Sequence, residues 1–256
     1  MSQEVTVDDG QLSDAINSFA AYVNKTVPEI VRAQARLVAV NLATQTQPFG
    51  DDDAAQFKGV NAVRIDLGRV FIGRGRVIEI ASKNQSNGVA QWLKRAAEDG
   101  NELAVGDAWK ALTGRSIEVG TNVNPAWHQG QRNAKGRVKR GAKPMIVLSE
   151  SSLNSYTKRK EKLVGFGKSG WSACARALGG TRGIPGWVSR KKGPGTVDDQ
   201  TRGQTDFPHV AMTNDVRYID QILSPTQRRA AVRIQVEKMN RAIEHGLTAE
   251  AKKLSA

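Results

Sequence analysis

Cysteine, histidine and aromatic residues are scarce in this chain of 256 residues. Its single cysteine, Cys174, cannot form a disulfide within the chain or a zinc site made of several thiolates. The three histidines, His128, His209 and His245, lie far apart and lack the spacing of metal ligands. We therefore expect a protein that is made in a reducing cytoplasm and folds without a metal.

Long apolar runs are absent as well. A membrane-spanning helix needs roughly 18 consecutive apolar residues, and no stretch approaches that length, so we expect no membrane span. Residues 1–10 are polar and acidic, unlike a secretory signal. The length is sufficient for one large domain or two small ones with a buried core.

Positive charge is spread unevenly along the chain, whose net charge is +13. Residues 1–131 hold 13 Lys/Arg and 15 Asp/Glu, and residues 193–256 hold 9 and 8. Residues 132–192 hold 16 Lys/Arg and only 2 Asp/Glu, so this segment carries the whole surplus. Because like charges repel, such a segment needs a solvated surface, a polyanion or an acidic partner.

Helical periodicity predicts a long N-terminal helix over residues 13–45. Thr26 and Glu29 have the spacing of a capping box, and Pro28 suits a first turn, so we expect the helix to bend or restart there. The last helix has the clearest signals: Ser224 is a cap whose box is completed by Gln227, and a glycine at position 246 predicts its end.

Shorter periodic segments lie between these two helices. Further helices are predicted at residues 60–71, 86–99, 101–114, 151–163 and 169–178. Short strands are predicted at residues 76–81, 145–148 and 210–218.

Together these elements predict an α+β fold, in which a small antiparallel sheet is packed by the long N-terminal helix and the C-terminal helix. We expect one domain over residues 1–256, with residues 84–114 as a helical insertion. Residues 119–144 and 183–206 are rich in glycine and basic residues and have no long apolar face. This composition is typical of extended basic arms.

Motifs for catalysis are incomplete in this sequence. Residues 165–170, Gly-Phe-Gly-Lys-Ser-Gly, match a dinucleotide-binding spacing but follow a charged helix, and the first glycine of a P-loop is missing. Cys174 stands among alanines as a small buried residue would, His128 has no identifiable partner, and the three aspartates at 51–53 suit a solvated loop. We therefore expect no catalytic residue, cofactor or metal, and no enzymatic activity.

Two basic clusters stand out above this background. They comprise Arg132, Lys135, Arg137, Lys139, Arg140, Lys143, Arg190, Lys191 and Lys192. Glycines between the cations allow close approach to a phosphate backbone, and Trp187 is a candidate for stacking on a base. Three interpretations remain open: contact with a nucleic acid, contact with an acidic protein, or solubility alone. Because no base-reading motif is present, any contact with DNA should be independent of sequence.

Six segments carry a resemblance to a known family. They are residues 44–50, 58–71, 128–138, 165–180, 184–187 and 212–218. Among them are Thr-Gln-Thr-Gln-Pro-Phe-Gly at 44–50, Arg-Asn-x-x-Gly-Arg-Val within 128–138 and Gly-Lys-Ser-Gly-Trp-Ser-Ala within 165–180. The pattern resembles bacteriophage neck proteins, the tail-completion or head–tail joining proteins of lambdoid long-tailed phages and their uncharacterised prophage relatives.

The resemblance implies a structural virion protein without catalysis, which forms a ring between head and tail. Six-fold rings are favoured and twelve-fold rings are possible in such necks. The implied partners are other copies of the chain, the portal or connector, a tail-tube or tail-terminator protein, and packaged DNA in the lumen, with no membrane. The implied location is the virion, and the host cytoplasm during assembly. The alternative is a sequence-independent nucleic-acid-binding protein.

Overall fold

A computed structural model describes residues 26–84, 86–134, 136–202 and 208–254 of the chain. It combines helices with short strands, which confirms the α+β class. The chain divides into two compact units. The terminal unit comprises Met1–Lys58 and Val164–Ala256, and the central unit comprises Gly59–Leu163. That residues 1–256 form a single domain, with 84–114 inserted into it, stays a prediction.

The helices and strands follow one another along the chain in a mixed order. They are α1 (Val27–Gln45), α2 (Asp53–Val70), β1 (Phe71–Gly73), α3 (Arg74–Ser82), α4 (Gly88–Asp99), α5 (Glu102–Thr113), β2 (Glu118–Gly120), α6 (Pro125–Gly130), β3 (Met145–Val147), α7 (Glu150–Lys162), α8 (Phe166–Ala177), α9 (Gly186–Ser189), β4 (Gly195–Asp199), β5 (Val210–Asn214), α10 (Ile219–Ile222) and α11 (Pro225–Leu254). Within the described residues, no helix is both long and apolar enough to cross a bilayer.

Helix α1 begins where its capping signals predict. The backbone N–H of Thr26 donates to Glu29 Oε2 at 3.0 Å, which satisfies a donor at the helix start. The predicted stretch 13–25 lies outside the described residues, so the long N-terminal helix is not confirmed. The predicted capping box of α11 is present, since the Ser224 N–H donates to Gln227 Oε1 at 2.7 Å. The predicted stop at position 246 is wrong, because α11 continues to Leu254.

In the terminal unit, α8 packs on α1 and on the two-stranded sheet of β4 and β5. These strands are antiparallel, with Gly195 opposite Asn214, so the predicted antiparallel sheet is present but has only two described strands. Asn214 Nδ2 donates to the carbonyl of Gly167 at 2.8 Å, which ties the end of β5 to α8. The C-terminal helix α11 packs on α1, where Asn41 Nδ2 donates to the carbonyl of Ala231 at 3.2 Å.

The approach of β4 to α8 depends on glycine. A Cβ on Gly195 would meet the carbonyl oxygen of Gly170, and a Cβ on Gly170 would meet the side chain of Asn214. Strand and helix backbones are therefore closer than any larger residue permits. The start of α8 also differs from the prediction, since the helix begins at Phe166, after Gly165, rather than at Ser169.

The central unit contains a parallel sheet that the sequence analysis did not predict. Strands β1, β3 and β2 lie in that order, and Ile72, Ile146 and Val119 are in register across it. Ile146 is fully buried, as expected for the central strand of a parallel sheet with covered faces. Each strand has three residues, too few to produce a periodic pattern in the sequence.

Helices of the central unit cover this sheet. The predicted helices at 86–99 and 101–114 are confirmed as α4 and α5; each starts at an asparagine cap and ends at a glycine in the left-handed region, Gly100 and Gly114. The predicted strand at 76–81 is wrong, because these residues belong to α3. Val77 and Ala81 are both buried, and their spacing of four places them on one face of that helix.

We expect Gly195→Ala to lower the free energy of unfolding by about 3 kcal/mol, because a backbone oxygen cannot move away as a flexible side chain can. Gly88→Ala is the matched control, since nothing lies within 4 Å of its added Cβ; it should change stability by less than about 1 kcal/mol. Urea denaturation of both variants measures the difference. Equal stability of the two would contradict the close approach of β4 to α8.

Candidate functional site

The first basic cluster lies on a folded loop of the central unit, residues 131–144, here called the basic loop. The N–H of Asn133 donates to the carbonyl of Arg137 at 2.9 Å, and that of Lys139 donates to Gln131 at 2.8 Å. Val138, between them, is buried. Together with α6, this hairpin replaces much of the extended arm predicted at 119–144. The site residue Lys135 lies outside the described residues.

Among the described residues, the cations of the basic loop divide into one half-buried and four exposed side chains. Arg132 is half-buried, and its Nη2 lies 3.4 Å from Asp66 Oδ2. The exposed cations are Arg137, Lys139, Arg140 and Lys143. Among the described residues, no carboxylate lies within ion-pair distance of these four. The loop therefore presents positive charge to solvent, and no described carboxylate pairs with it there.

The second cluster, residues 190–192, belongs to the terminal unit and follows α9. Arg190 and Lys192 are exposed, whereas Lys191 is half-buried, and burial lowers its pKa. Helix α9 and strand β4 occupy much of the arm predicted at 183–206, so that prediction needs correction; residues 203–206 lie outside the described part of the chain. The structure thus assigns the two basic clusters to different units.

Trp187 cannot stack on a base as predicted from the sequence. Its side chain is buried against Gly165, and its Nε1–H donates to the carbonyl of Asp52 at 3.2 Å. This residue instead forms part of the core of the terminal unit, together with Trp171 and Leu42.

His128 does have a partner, which sequence reasoning missed. Its Nδ1 lies 2.9 Å from the Tyr156 hydroxyl, and its Nε2 accepts a hydrogen bond from Arg132 Nη2 at 3.0 Å. Because Nε2 accepts, Nδ1 carries the proton and donates to Tyr156. Burial lowers the pKa of His128 to about 4, with smaller contributions from the cations of Arg132 and Lys160. The buried neutral imidazole fastens the basic loop to α7.

Helix α7 adds cations that the predicted set does not contain. Arg159 Cζ and Lys160 Nζ lie 5.1 and 5.2 Å from the centroid of the Tyr156 ring, within cation–π range. Burial lowers the pKa of Lys160, and repulsion from Arg132 and Arg159 lowers it further. Positive charge is therefore concentrated where α7 meets the start of the basic loop.

The glycine-rich segment 165–170 has a structural role in the terminal unit. Lys168 is buried, and its Nζ donates to the carbonyl oxygens of Ala43 and Gly50, each at 2.7 Å. Burial lowers the pKa of Lys168 to about 8. The ammonium group joins the last turn of α1 to the loop that follows it. The partial negative charge at the C-terminal end of the helix favours a cation in this position.

Cys174 is a buried residue of α8, as its alanine-rich surroundings predict. Its Sγ lies 3.4 Å from the carbonyl oxygen of Thr196 and 3.5 Å from that of Thr213, so it contacts both strands of the antiparallel sheet. Burial raises the pKa of the thiol to about 12. The thiolate form needed for nucleophilic attack is therefore strongly disfavoured.

His128 should make stability depend on pH. The pKa of His128 in the folded chain is about 4, below the ordinary value of 6.5. Between pH 4 and pH 6.5 the unfolded chain therefore binds more protons than the folded chain. The contribution of neutral His128 to the free energy of unfolding is fully present above pH 6.5 and should fall by roughly 2 to 3 kcal/mol as the pH drops toward 4. Urea denaturation at several pH values should show a shallower dependence for His128→Gln than for the wild type. His245→Gln, which changes an exposed histidine of α11, should retain the wild-type slope.

Comparisons with family models, curated proteins and solved structures yield no match. The strongest feature of the chain is the basic loop, a folded hairpin with four exposed cations that have no carboxylate partner among the described residues.

Proposed function

We propose that the chain is a structural protein of a bacteriophage neck, a ring subunit without catalysis that joins the head or connector to the tail. The resemblance of the six sequence segments suggests this role. Several of these segments belong to the terminal unit. Residues 44–50 include Gly50, whose carbonyl accepts a hydrogen bond from Lys168, and residues 165–180 include α8. The residues of these segments have packing roles, which suit a structural protein better than an enzyme.

The observation that carries the proposal is the unpaired charge of the basic loop. Arg137, Lys139, Arg140 and Lys143 are exposed and lie beyond ion-pair distance of every carboxylate in the described residues. A ring subunit would place such a loop against DNA in the lumen or against the acidic rim of a neighbour. Either contact supplies the counter-charge that the segment lacks.

Ring formation requires heterologous contacts between copies that close on themselves. We favour six-fold rings over twelve-fold rings. The proposed neighbours are the portal or connector on one side and a tail-tube or tail-terminator protein on the other. The virion is then the site of function, after assembly in the host cytoplasm.

Inactivation of the gene in the phage that encodes the chain tests this role. We expect DNA-filled heads and separate complete tails in electron micrographs of the lysate, because the joint between them is missing. Supplying the intact chain from a plasmid should restore joined particles. Normal numbers of joined, infectious particles without the chain would contradict the proposal.

Loss of the loop charges should affect binding to a polyanion. We expect Arg137→Ala/Lys139→Ala/Arg140→Ala to elute from heparin at clearly lower salt than the wild type, since each lost contact reduces counterion release. The matched control is Arg69→Ala/Arg74→Ala/Arg95→Ala, which removes the same charge from helices α2, α3 and α4.

Equal elution of the two triple variants would show that only net charge matters and would contradict a binding role for the loop. The two experiments together address the alternative function. A sequence-independent nucleic-acid-binding protein would lose retention on DNA in the loop variant, but inactivation of its gene would leave head–tail joining intact.

A further inference from the structure

A cleft of about 920 Å³ opens in the central unit between the end of α5 and the basic loop. Two tryptophans line it, Trp109 from α5 and Trp127 from α6. The remaining walls come from Thr113, residues 115–118 and residues 141–144. The volume is within the range of sites that hold small organic ligands.

The two indole rings are fixed by the fold. Trp109 packs against the core beneath the parallel sheet, with Val105 and Ala108 of the same helix buried in it. Trp127 follows the Asn124 cap of α6, and its Nε1–H donates to the carbonyl of Lys143 at 3.2 Å. Both side chains are half-buried, so part of each remains available to a ligand. A fixed aromatic surface loses little conformational entropy on binding.

Positive charge accompanies the aromatic surface. Arg115 and Lys143 line the cleft and are exposed, and no carboxylate among the described residues lies within ion-pair distance of either. Glu118 contributes the one acidic side chain of the lining. Arg140, also exposed, stands three residues before Lys143 on the same loop. Aromatic rings with neighbouring cations match the two parts of a nucleotide, its base and its phosphate.

We propose that this cleft binds unpaired nucleotides of a single-stranded nucleic acid, with bases stacked on Trp109 and Trp127 and phosphates bound by Arg115 and Lys143. Duplex DNA satisfies the charges but hides its bases, so a single strand is the better occupant. The inference is independent of the neck assignment, because it concerns one cleft within the central unit and needs no ring.

The full-length chain can be titrated against three fluorescently labelled ligands of equal length. They are a strand of roughly 12 thymidylates, an abasic strand with the same phosphates, and a duplex. We expect the thymidylate strand to bind about tenfold more tightly than the abasic strand, since stacking is the only difference between them. Equal affinity for these two strands, or no binding of either, would overturn the proposal.

Variants separate stacking from charge. Trp109→Ala should reduce the preference for thymidylates over the abasic strand, since Trp127 remains, and Trp109→Ala/Trp127→Ala should abolish it. Trp109→Phe should retain more of the preference and tests stacking if the alanine variants are unstable. Trp92→Ala is the matched control, because Trp92 is 42% exposed on α4 of the same unit and does not line the cleft. An undiminished preference in Trp109→Ala, with its fold verified by circular dichroism, would also overturn the proposal.

Arg115→Ala/Lys143→Ala should weaken both strands alike and reduce the salt slope of the logarithm of affinity by about 1.4, the value for two lost phosphate contacts. Lys94→Ala/Arg95→Ala, which removes two cations from α4, should leave the slope unchanged. An equal loss in both double variants would show a general charge effect and contradict the phosphate role. Particle assembly provides an independent readout of the neck proposal, so either proposal can fail without the other.

Discussion

The fold has to accommodate a large charge imbalance in residues 132–192. This segment has 16 Lys/Arg and 2 Asp/Glu, and both carboxylates are already engaged. Glu150 Oε1 accepts from the N–H of Gly75 at 2.6 Å, at the start of α3, and Glu161 pairs with Arg64 of α2 at 2.6 Å. Two carboxylates cannot balance 16 cations, so most of the neutralisation must come from outside the segment.

Several cations of the segment donate to backbone carbonyls. Lys168 is the clearest case, since its buried ammonium group bonds the last turn of α1, where orphan carbonyls favour a cation. Arg176 donates to the carbonyl of Ser189 at 2.6 Å, and Lys139 donates to that of Gly130 at 2.8 Å at the end of α6. Carbonyl partners position these side chains but leave their net charge in place, so the field of the segment persists outside the protein.

Capped helices were predictable from the sequence and most of the sheet structure was not. Thr26, Asn101 and Ser224 mark helix starts because their caps act within one turn of chain. The strands of the central unit have three residues each, and their pairing depends on contacts distant in sequence. Its basic neighbours make Trp187 a candidate for stacking on a base, yet the space beside Gly165 admits its ring into the core. Of the predicted basic residues, Arg137, Lys139, Arg140 and Lys143 are exposed but Arg132 and Lys191 are half-buried, and their role in binding stays a prediction. The partner of His128 and the cleft arise only from folding.

The anchoring of the basic loop determines how it can bind. Val138 and the His128–Tyr156 contact hold the hairpin on the central unit, so binding does not have to order a free arm. A preorganised loop with unpaired cations gives affinity that depends on salt and on the spacing of negative charge rather than on sequence. Since the fold already fixes the loop, substitution of its exposed side chains can change which partner it prefers with little effect on the core. Under the proposed function, recognition belongs to the surface of the loop and the adjoining cleft, while the glycine-dependent packing of α8 supplies rigidity in the terminal unit.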